Sequence, residues 1–176
     1  MYIIIAPHAD DEIVWCWSLI KQWLVLWVIY ITDAKDWRKE QATKFCIDNG
    51  LQMSWMGYRD WELHKLNEIE RYWLLEDIIQ ESKKMKFSKN FRFAIPSNID
   101  RNIDHTVLWG WLPRICPKWS IYYSYTNTLP SPEIKSSAYI FKEKSSWMKK
   151  YYPQEEKVLS NKKLILWKCF YKPVTY

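Results

Sequence analysis

The densest chemistry in this chain lies near its start. Residues 5–12, Ile-Ala-Pro-His-Ala-Asp-Asp-Glu, set an imidazole, His8, beside two adjacent carboxylates, Asp10 and Asp11. They follow a short apolar run, which predicts a strand ending and a helix beginning at this point. In open α/β sheets, ligands bind in the crevice beyond the carboxyl ends of the strands. His8 and Asp11, three residues apart across such a turn, can both reach one metal ion. Neighbouring carboxylates held there cannot be equivalent, so one can ligate while the other handles protons. The chemistry implied is metal-assisted hydrolysis.

A second segment, Pro96-Ser-Asn-Ile-Asp-Arg-Asn-Ile-Asp-His105, also follows a predicted strand and is expected at the same sheet edge. In it His105 opens a helix and Asp104 precedes it. His8, Asp11 and His105 together supply two imidazoles and one carboxylate with room for a water. That is the composition of a catalytic rather than a structural zinc site. Each histidine alone reads as an ordinary structural residue; the pair of segments, each behind a strand, reads as a site. A magnesium phosphohydrolase built on the Asp pair is a weaker reading, since magnesium prefers oxygen ligands. His64, at a helix start, reads as a surface residue.

The elements that must position these residues follow from apolar periodicity and punctuation. Strands are expected at Tyr2–Ala6, Leu24–Ile31, Gln52–Met56, Phe91–Ile95, Trp119–Tyr125 and Lys163–Phe170. Helices are expected at Glu12–Gln22, Trp37–Asn49, His64–Met85, from Thr106 to Leu112, and at Ala138–Tyr151. In the long third helix, Leu66, Ile69, Tyr72, Trp73, Leu75 and Ile79 form the expected buried stripe. A turn is expected at Leu129–Pro132. Strands alternating with helices imply a mostly parallel sheet with right-handed crossovers. Residues 13–32 are long enough to span a bilayer, but Lys21-Gln22 interrupts them, so they read as helix then buried strand. No signal-peptide pattern is read at Met1–Ile5.

The 176 residues are most naturally one domain with net charge +6. The basic residues are scattered, which suits a solvated surface better than a nucleic-acid stripe. Cys16, Cys46, Cys116 and Cys169 form no Cys-x-x-Cys pair and read as reduced thiols of a cytoplasmic protein.

One anomaly stands out: 13 tryptophans against 3 glycines, where about 12 glycines are expected at roughly 7%. Trp15 and Trp17 fall on the first helix behind the site, and Trp23 falls where a C-terminal glycine is favoured. Trp37 and Trp61 fall in polar segments. Several positions, among them Trp15, Trp17, Trp23, Trp37, Trp61, Trp109, Trp111 and Trp167, are therefore expected to be UGA codons that the cell decodes as glycine. The rival reading is an aromatic surface for stacking sugars or bases. The codons decide between them.

Ala6-Pro-His-Ala-Asp-Asp-Glu12 resembles the signature of the PIG-L/LmbE-like zinc N-deacetylases, and Asp100-x-Asn-x-Asp-His105 resembles their second motif. Arg38-Lys-Glu40, Met56-Gly-Tyr-Arg-Asp-Trp-Glu-Leu63, Tyr122-Tyr-Ser-Tyr125, Leu129-Pro130 and Lys150-Tyr-Tyr-Pro-Gln154 resemble further family segments. The resemblance thus covers roughly residues 2–155. Near positions 15, 17 and 61 the family carries glycine. It implies a single deacetylase domain over residues 1–176 with a Rossmann-like three-layer α/β sandwich. It implies zinc (Zn2+) held by His8, Asp11 and His105, with Asp10 as general base. Arg38 and Asp60 match positions that contact sugar hydroxyls. Many members have His where this chain has Asn102; that His assists the oxyanion or leaving group and is oriented by the residue matching Asp104. Asn102 can donate a hydrogen bond but no proton at neutral pH, so leaving-group protonation falls to Asp10. Glu12 reads as a first-turn residue favoured by the helix dipole. The implied substrate is an N-acetylglucosamine-type conjugate, with no nucleic-acid partner and no membrane span. The alternative is a non-catalytic sugar-binding relative of the same fold.

Overall fold

Every residue of Tyr2–Ala6 is apolar because both faces of that strand are covered, as in the centre of a parallel sheet. The structure is a computed structural model that describes residues 1–84, 92–96, 102–112, 122–125, 138–155, 157 and 172–174. Its elements run β1 (Tyr2–Ala6), α1 (Asp11–Lys21), β2 (Val25–Thr32), α2 (Asp36–Asp48) and β3 (Gln52–Tyr58). A 3-10 turn (Leu63–Lys65), α3 (Glu68–Lys83), β4 (Arg92–Pro96), α4 (Ile103–Trp111), β5 (Tyr122–Tyr125), α5 (Ala138–Tyr151) and β6 (Lys172–Val174) follow. The six strands form one sheet in the order β3-β2-β1-β4-β5-β6. Strands β1 to β5 pair in parallel, and β6 is antiparallel to β5.

The two faces of the sheet make two cores. Tyr2, Ile4, Ala6, Val28 and Tyr30 pack with Ile13 and Val14 of α1, Phe45 of α2 and Met148 of α5. Ile3, Ile5, Ile29 and Ile31 pack on the other side with Leu74 and Ile78 of α3 and Leu108 of α4. The period-2 alternation of side chains along a strand splits them this way. The result is the α/β three-layer sandwich expected from the alternation of elements, with a Rossmann-like strand order. After β1 the chain passes to the first face and after β4 to the second, so a crevice opens between β1 and β4 at the switch point. Among the described residues no helix is long and apolar enough to cross a membrane. Cys16 and Cys46 are buried and are not joined in a disulfide among the described residues.

Several expected elements shift. The third helix does not run from His64: Leu66 is extended, and Asn67 starts α3 with a capping box to Glu70. The face of α3 that packs on the sheet carries Leu74 and Ile78, whereas Ile69, Tyr72 and Trp73, assigned to the core stripe, are exposed. Helix α4 begins at Ile103 rather than Thr106, because Asn102 caps it by accepting from Asp104 N at 2.9 Å. Asp104 and His105 therefore sit inside its first turn. The expected strand at Lys163–Phe170 and the turn at Leu129–Pro132 lie outside the described residues; the last described strand is β6.

Two helices on the same face end alike. In α2, Gly50 N bonds Ile47 O at 3.1 Å and Leu51 N bonds Cys46 O at 2.9 Å, with Gly50 at φ 63°. In α1, Trp23 N bonds Ile20 O at 2.9 Å and Leu24 N bonds Leu19 O at 3.1 Å, with Trp23 at φ 56°. Both are Schellman motifs, whose left-handed residue is usually glycine. The second holds an indole that is 76% exposed. Trp61 also sits at a left-handed φ of 61°. A Cβ there costs about 1–2 kcal/mol, and an indole this exposed gains little packing in return. Trp23→Gly is therefore expected to raise the unfolding free energy, read by denaturant titration, by about 0.5–1 kcal/mol even though glycine loosens the unfolded chain. Trp73→Gly, on exposed mid-helix surface, is expected to lower it by about 1 kcal/mol. A destabilised Trp23→Gly variant would show that the indole holds that corner.

Candidate metal centre

The turn between β1 and α1 is wired from within. His8 N donates to Asp11 Oδ2 at 2.8 Å, and Asp10 N donates to Glu12 Oε2 at 3.0 Å. Asp10 is the N-cap of α1 at φ 106°, but its side chain makes no capping bond. The carboxylate is left for other work, and Arg38 Nη2 from α2 meets its Oδ2 at 3.0 Å. Across the switch point, the first turn of α4 delivers Asp104 and His105 to the same place.

Three lone-pair atoms converge there. His8 Nδ1 lies 3.3 Å from Asp11 Oδ2, His105 Nε2 lies 3.3 Å from Asp11 Oδ2, and the two ring nitrogens are 3.3 Å apart. Zinc–ligand bonds of about 2.0–2.1 Å at tetrahedral angles put neighbouring ligand atoms about 3.3–3.4 Å apart. The triangle therefore has the size of one face of a zinc tetrahedron. Its donors, two imidazoles and a carboxylate, are of the right type. All three residues are buried, and together they could hold a metal ion.

The other nitrogen of His8 faces a second group. Nε2 is 3.3 Å from Asp104 Oδ2 and 3.0 Å from Asp60 Oδ1. These three residues could also hold a cation. However, Asp104 is already occupied, accepting Trp61 N at 2.8 Å on Oδ2 and Leu63 N at 3.3 Å on Oδ1. Asp60 Oδ1 is buried and makes no aligned hydrogen bond.

The charges are ordered by their neighbours. Burial pushes Asp10 up to about 7; Arg38 opposes this, and the Asp11 charge adds to it. Burial also works against ionised Asp11, but His105 and His8 outweigh it and hold this carboxyl well below the usual carboxylate range. Burial opposes the charged form of His8, yet the nearby carboxylates of Asp104, Asp11 and Asp60 raise its pKa well above the ordinary value. Two adjacent carboxylates thus differ in proton affinity, the pattern of an acid–base residue beside a permanently charged one.

The structure brings all eight sequence-predicted site residues to this end of the sheet or to the helix caps around it. Asn102 is there as the α4 cap. Arg38 also meets Glu155 Oε1 at 3.3 Å, and its Nε is buried without a hydrogen bond. His64 is exposed, as expected. Three contributors were not foreseen. Glu12, read as a dipole-favoured first-turn residue, is fully buried; it accepts from Tyr152 OH at 2.6 Å, and burial pushes it up to about 8. Tyr152 and Glu155 reach the site from beyond α5. The sequence signals were, for Glu12, a polar residue following two aspartates at a buried strand end and, for Tyr152, its place in the family-like segment Lys150-Tyr-Tyr-Pro-Gln154.

Compared with known protein families and with curated proteins, the chain matches no family model and no curated sequence.

The cluster predicts uptake of one divalent ion per chain. Asp11→Asn or His105→Ala removes a ligand and is expected to weaken zinc binding by more than the roughly 10–100-fold typical of outer-shell changes. His64→Ala serves as the control and is expected to leave it unchanged. Calorimetric titration of the metal-free protein reads all three. Equal losses for His64 and His105 would place the ion elsewhere.

Proposed function

We propose that the chain is a zinc-dependent hydrolase that removes the N-acetyl group from an N-acetylglucosamine-type conjugate. The observation that carries this reading is the 3.3 Å triangle of His8, Asp11 and His105 with a separate carboxylate, Asp10, beside it. The resemblance of residues 6–12 and 100–105 to the PIG-L/LmbE-like deacetylases supports the choice of substrate.

Bound there, zinc supplies a Lewis acid that activates water and polarises the amide carbonyl. The chain's own residues do the rest. Asp10, whose pKa is raised to about 7, accepts a proton from the attacking water. A base with a pKa near the working pH balances availability against driving force. Once protonated, Asp10 returns that proton to the departing amine nitrogen, and acetate and a free amine leave. Arg38 Nη2, 3.0 Å from Asp10 Oδ2, fixes the carboxylate through this exchange. Asp60 Oδ1, buried without an aligned hydrogen bond, is available to accept from a sugar hydroxyl. Arg38 Nε, likewise unpaired, can donate to one.

A specific observation keeps the sugar-binding alternative in view. Asn102 spends its side-chain oxygen on Asp104 N as the α4 cap, so the residue at this position is engaged in structure.

The test is acetate release from N-acetylglucosaminyl substrates by zinc-loaded protein, with glycine restored at Trp23 and Trp61. Turnover is expected, and Asp10→Asn is expected to lower kcat by about 10²–10⁴-fold, the range of a general base, with zinc content near normal. Loss of zinc instead would mean that the two aspartates have exchanged roles. Sugar binding without acetate release would establish the non-catalytic alternative.

A further inference from the structure

We infer that Asp104 is a positioning residue that acts through His8. It fixes that imidazole with the proton on Nε2 and Nδ1 bare for the ion, and it ties this arrangement to the 60–63 loop. The inference rests on the His8, Asp11 and His105 cluster being a metal centre.

The geometry leaves His8 little choice. Both atoms nearest Nε2, Asp104 Oδ2 at 3.3 Å and Asp60 Oδ1 at 3.0 Å, belong to carboxylates. An ionised carboxylate only accepts, so once an ion takes the Nδ1 lone pair, the one hydrogen left on the ring stays on Nε2. Asp104 must itself be an acceptor, because both of its oxygens take backbone N–H groups, from Trp61 and from Leu63. On the opposite side of the ring, Nδ1 faces Asp11 Oδ2 and His105 Nε2, two atoms that must bear lone pairs to ligate. Carboxylate, imidazole and ion thus stand in series, an arrangement that fixes a ligand's tautomer and raises its basicity.

The series extends further than the ring. Oδ2 of Asp104 is shared between His8 Nε2 and Trp61 N. Trp61 sits at φ 61°, a conformation that needs external support. The same carboxylate therefore holds the loop that carries Asp60 and the ring that holds the ion. Asp104 is fully buried at the start of α4, packed between them. An ion that draws electron density from Nδ1 makes Nε2–H a stronger donor to Oδ2, so occupancy of the centre and order of the loop are linked.

The chain has three histidines, which makes nitrogen-15 spectra tractable. In protein loaded with cadmium-113 in place of zinc, the expected coupling is from the metal to His8 Nδ1, with the hydrogen retained on Nε2. Metal loading is expected to slow exchange of the Trp61 and Leu63 amide hydrogens. Asp104→Asn turns one acceptor into a donor; it is expected to weaken zinc binding by about 10–100-fold and to abolish the metal-induced slowing. His64→Ala, an exposed histidine outside the cluster, is expected to change zinc affinity by less than about threefold and to leave the metal-induced slowing intact. Metal coupling to His8 Nε2 overturns the inference while leaving the metal centre intact. So does an Asp104→Asn variant that binds zinc as tightly as the parent. If that variant does not fold, the coupling in the unsubstituted protein still decides the tautomer. A protein that takes up neither zinc nor cadmium overturns the metal centre itself, and the inference with it.

Discussion

A left-handed residue at Asp10 makes the rest of this site possible. At φ 106°, the chain leaves β1 and enters α1 within four residues, and His8, Asp10 and Asp11 are brought to one spot. A non-glycine residue in such a conformation costs about 1–3 kcal/mol. Two buried hydrogen bonds to carboxylates, His8 N to Asp11 and Asp10 N to Glu12, hold the turn. The bond to ionised Asp11 contributes about 1.5–3 kcal/mol, so the turn is sustained by the residues that it positions. Thr32, at the end of β2, closes it from the other side by bonding Pro7 O through both its backbone N and Oγ1, at 3.0 and 2.6 Å. The acidic residues are thus part of the fold as well as part of the chemistry.

That dual use explains the order of the charges. Asp10, Asp11 and Glu12 are consecutive and buried, and burial alone drives all three toward the neutral form. What separates them is the cation each one meets. Asp11 has two imidazoles, Asp10 has a guanidinium that it shares with Glu155, and Glu12 is met by neutral donors, the hydroxyl of Tyr152 and backbone N–H groups. The resulting sequence, with Asp11 far below its usual range, Asp10 about 7 and Glu12 about 8, follows the falling positive charge around each.

Much of this was legible in the sequence because it is local. The apolar run before His8, and the similar one before residues 96–105, located two strand ends that must share a sheet edge if the sheet is parallel. What was not legible depends on long-range packing. Glu12 looks like any first-turn acid until Tyr152, 140 residues away, is placed over it. The stripe drawn through Ile69, Tyr72 and Trp73 was out of phase because the face that packs on the sheet is the one carrying Leu74 and Ile78, and which face turns inward is decided by that packing. Asp60 was foreseen as a sugar contact from resemblance; that it also stands beside His8 follows from Asp104 pulling the 61–63 backbone inward. Asn102 was read for its chemistry and is used first for its capping oxygen.

The tryptophan anomaly meets the site at position 61. Trp61 contributes its backbone N–H to Asp104, while its ring lies 6.2 Å from the His8 ring and is largely in solvent. The part of the residue that holds the centre together is therefore independent of the side chain. A glycine there keeps the hydrogen bond, relieves the left-handed strain, and removes only the indole above His8. Position 23 obeys the same logic beside its counterpart Gly50: the backbone motif is identical and the side chain is surplus to it. At positions 23 and 61 the triangle of His8, Asp11 and His105 keeps its contacts whichever residue the cell inserts; position 15 differs, because Trp15 Nε1 donates to Asp11 Oδ1 at 3.0 Å and a glycine there removes that bond. At position 61 what the decoding alters is how open the approach to the triangle is.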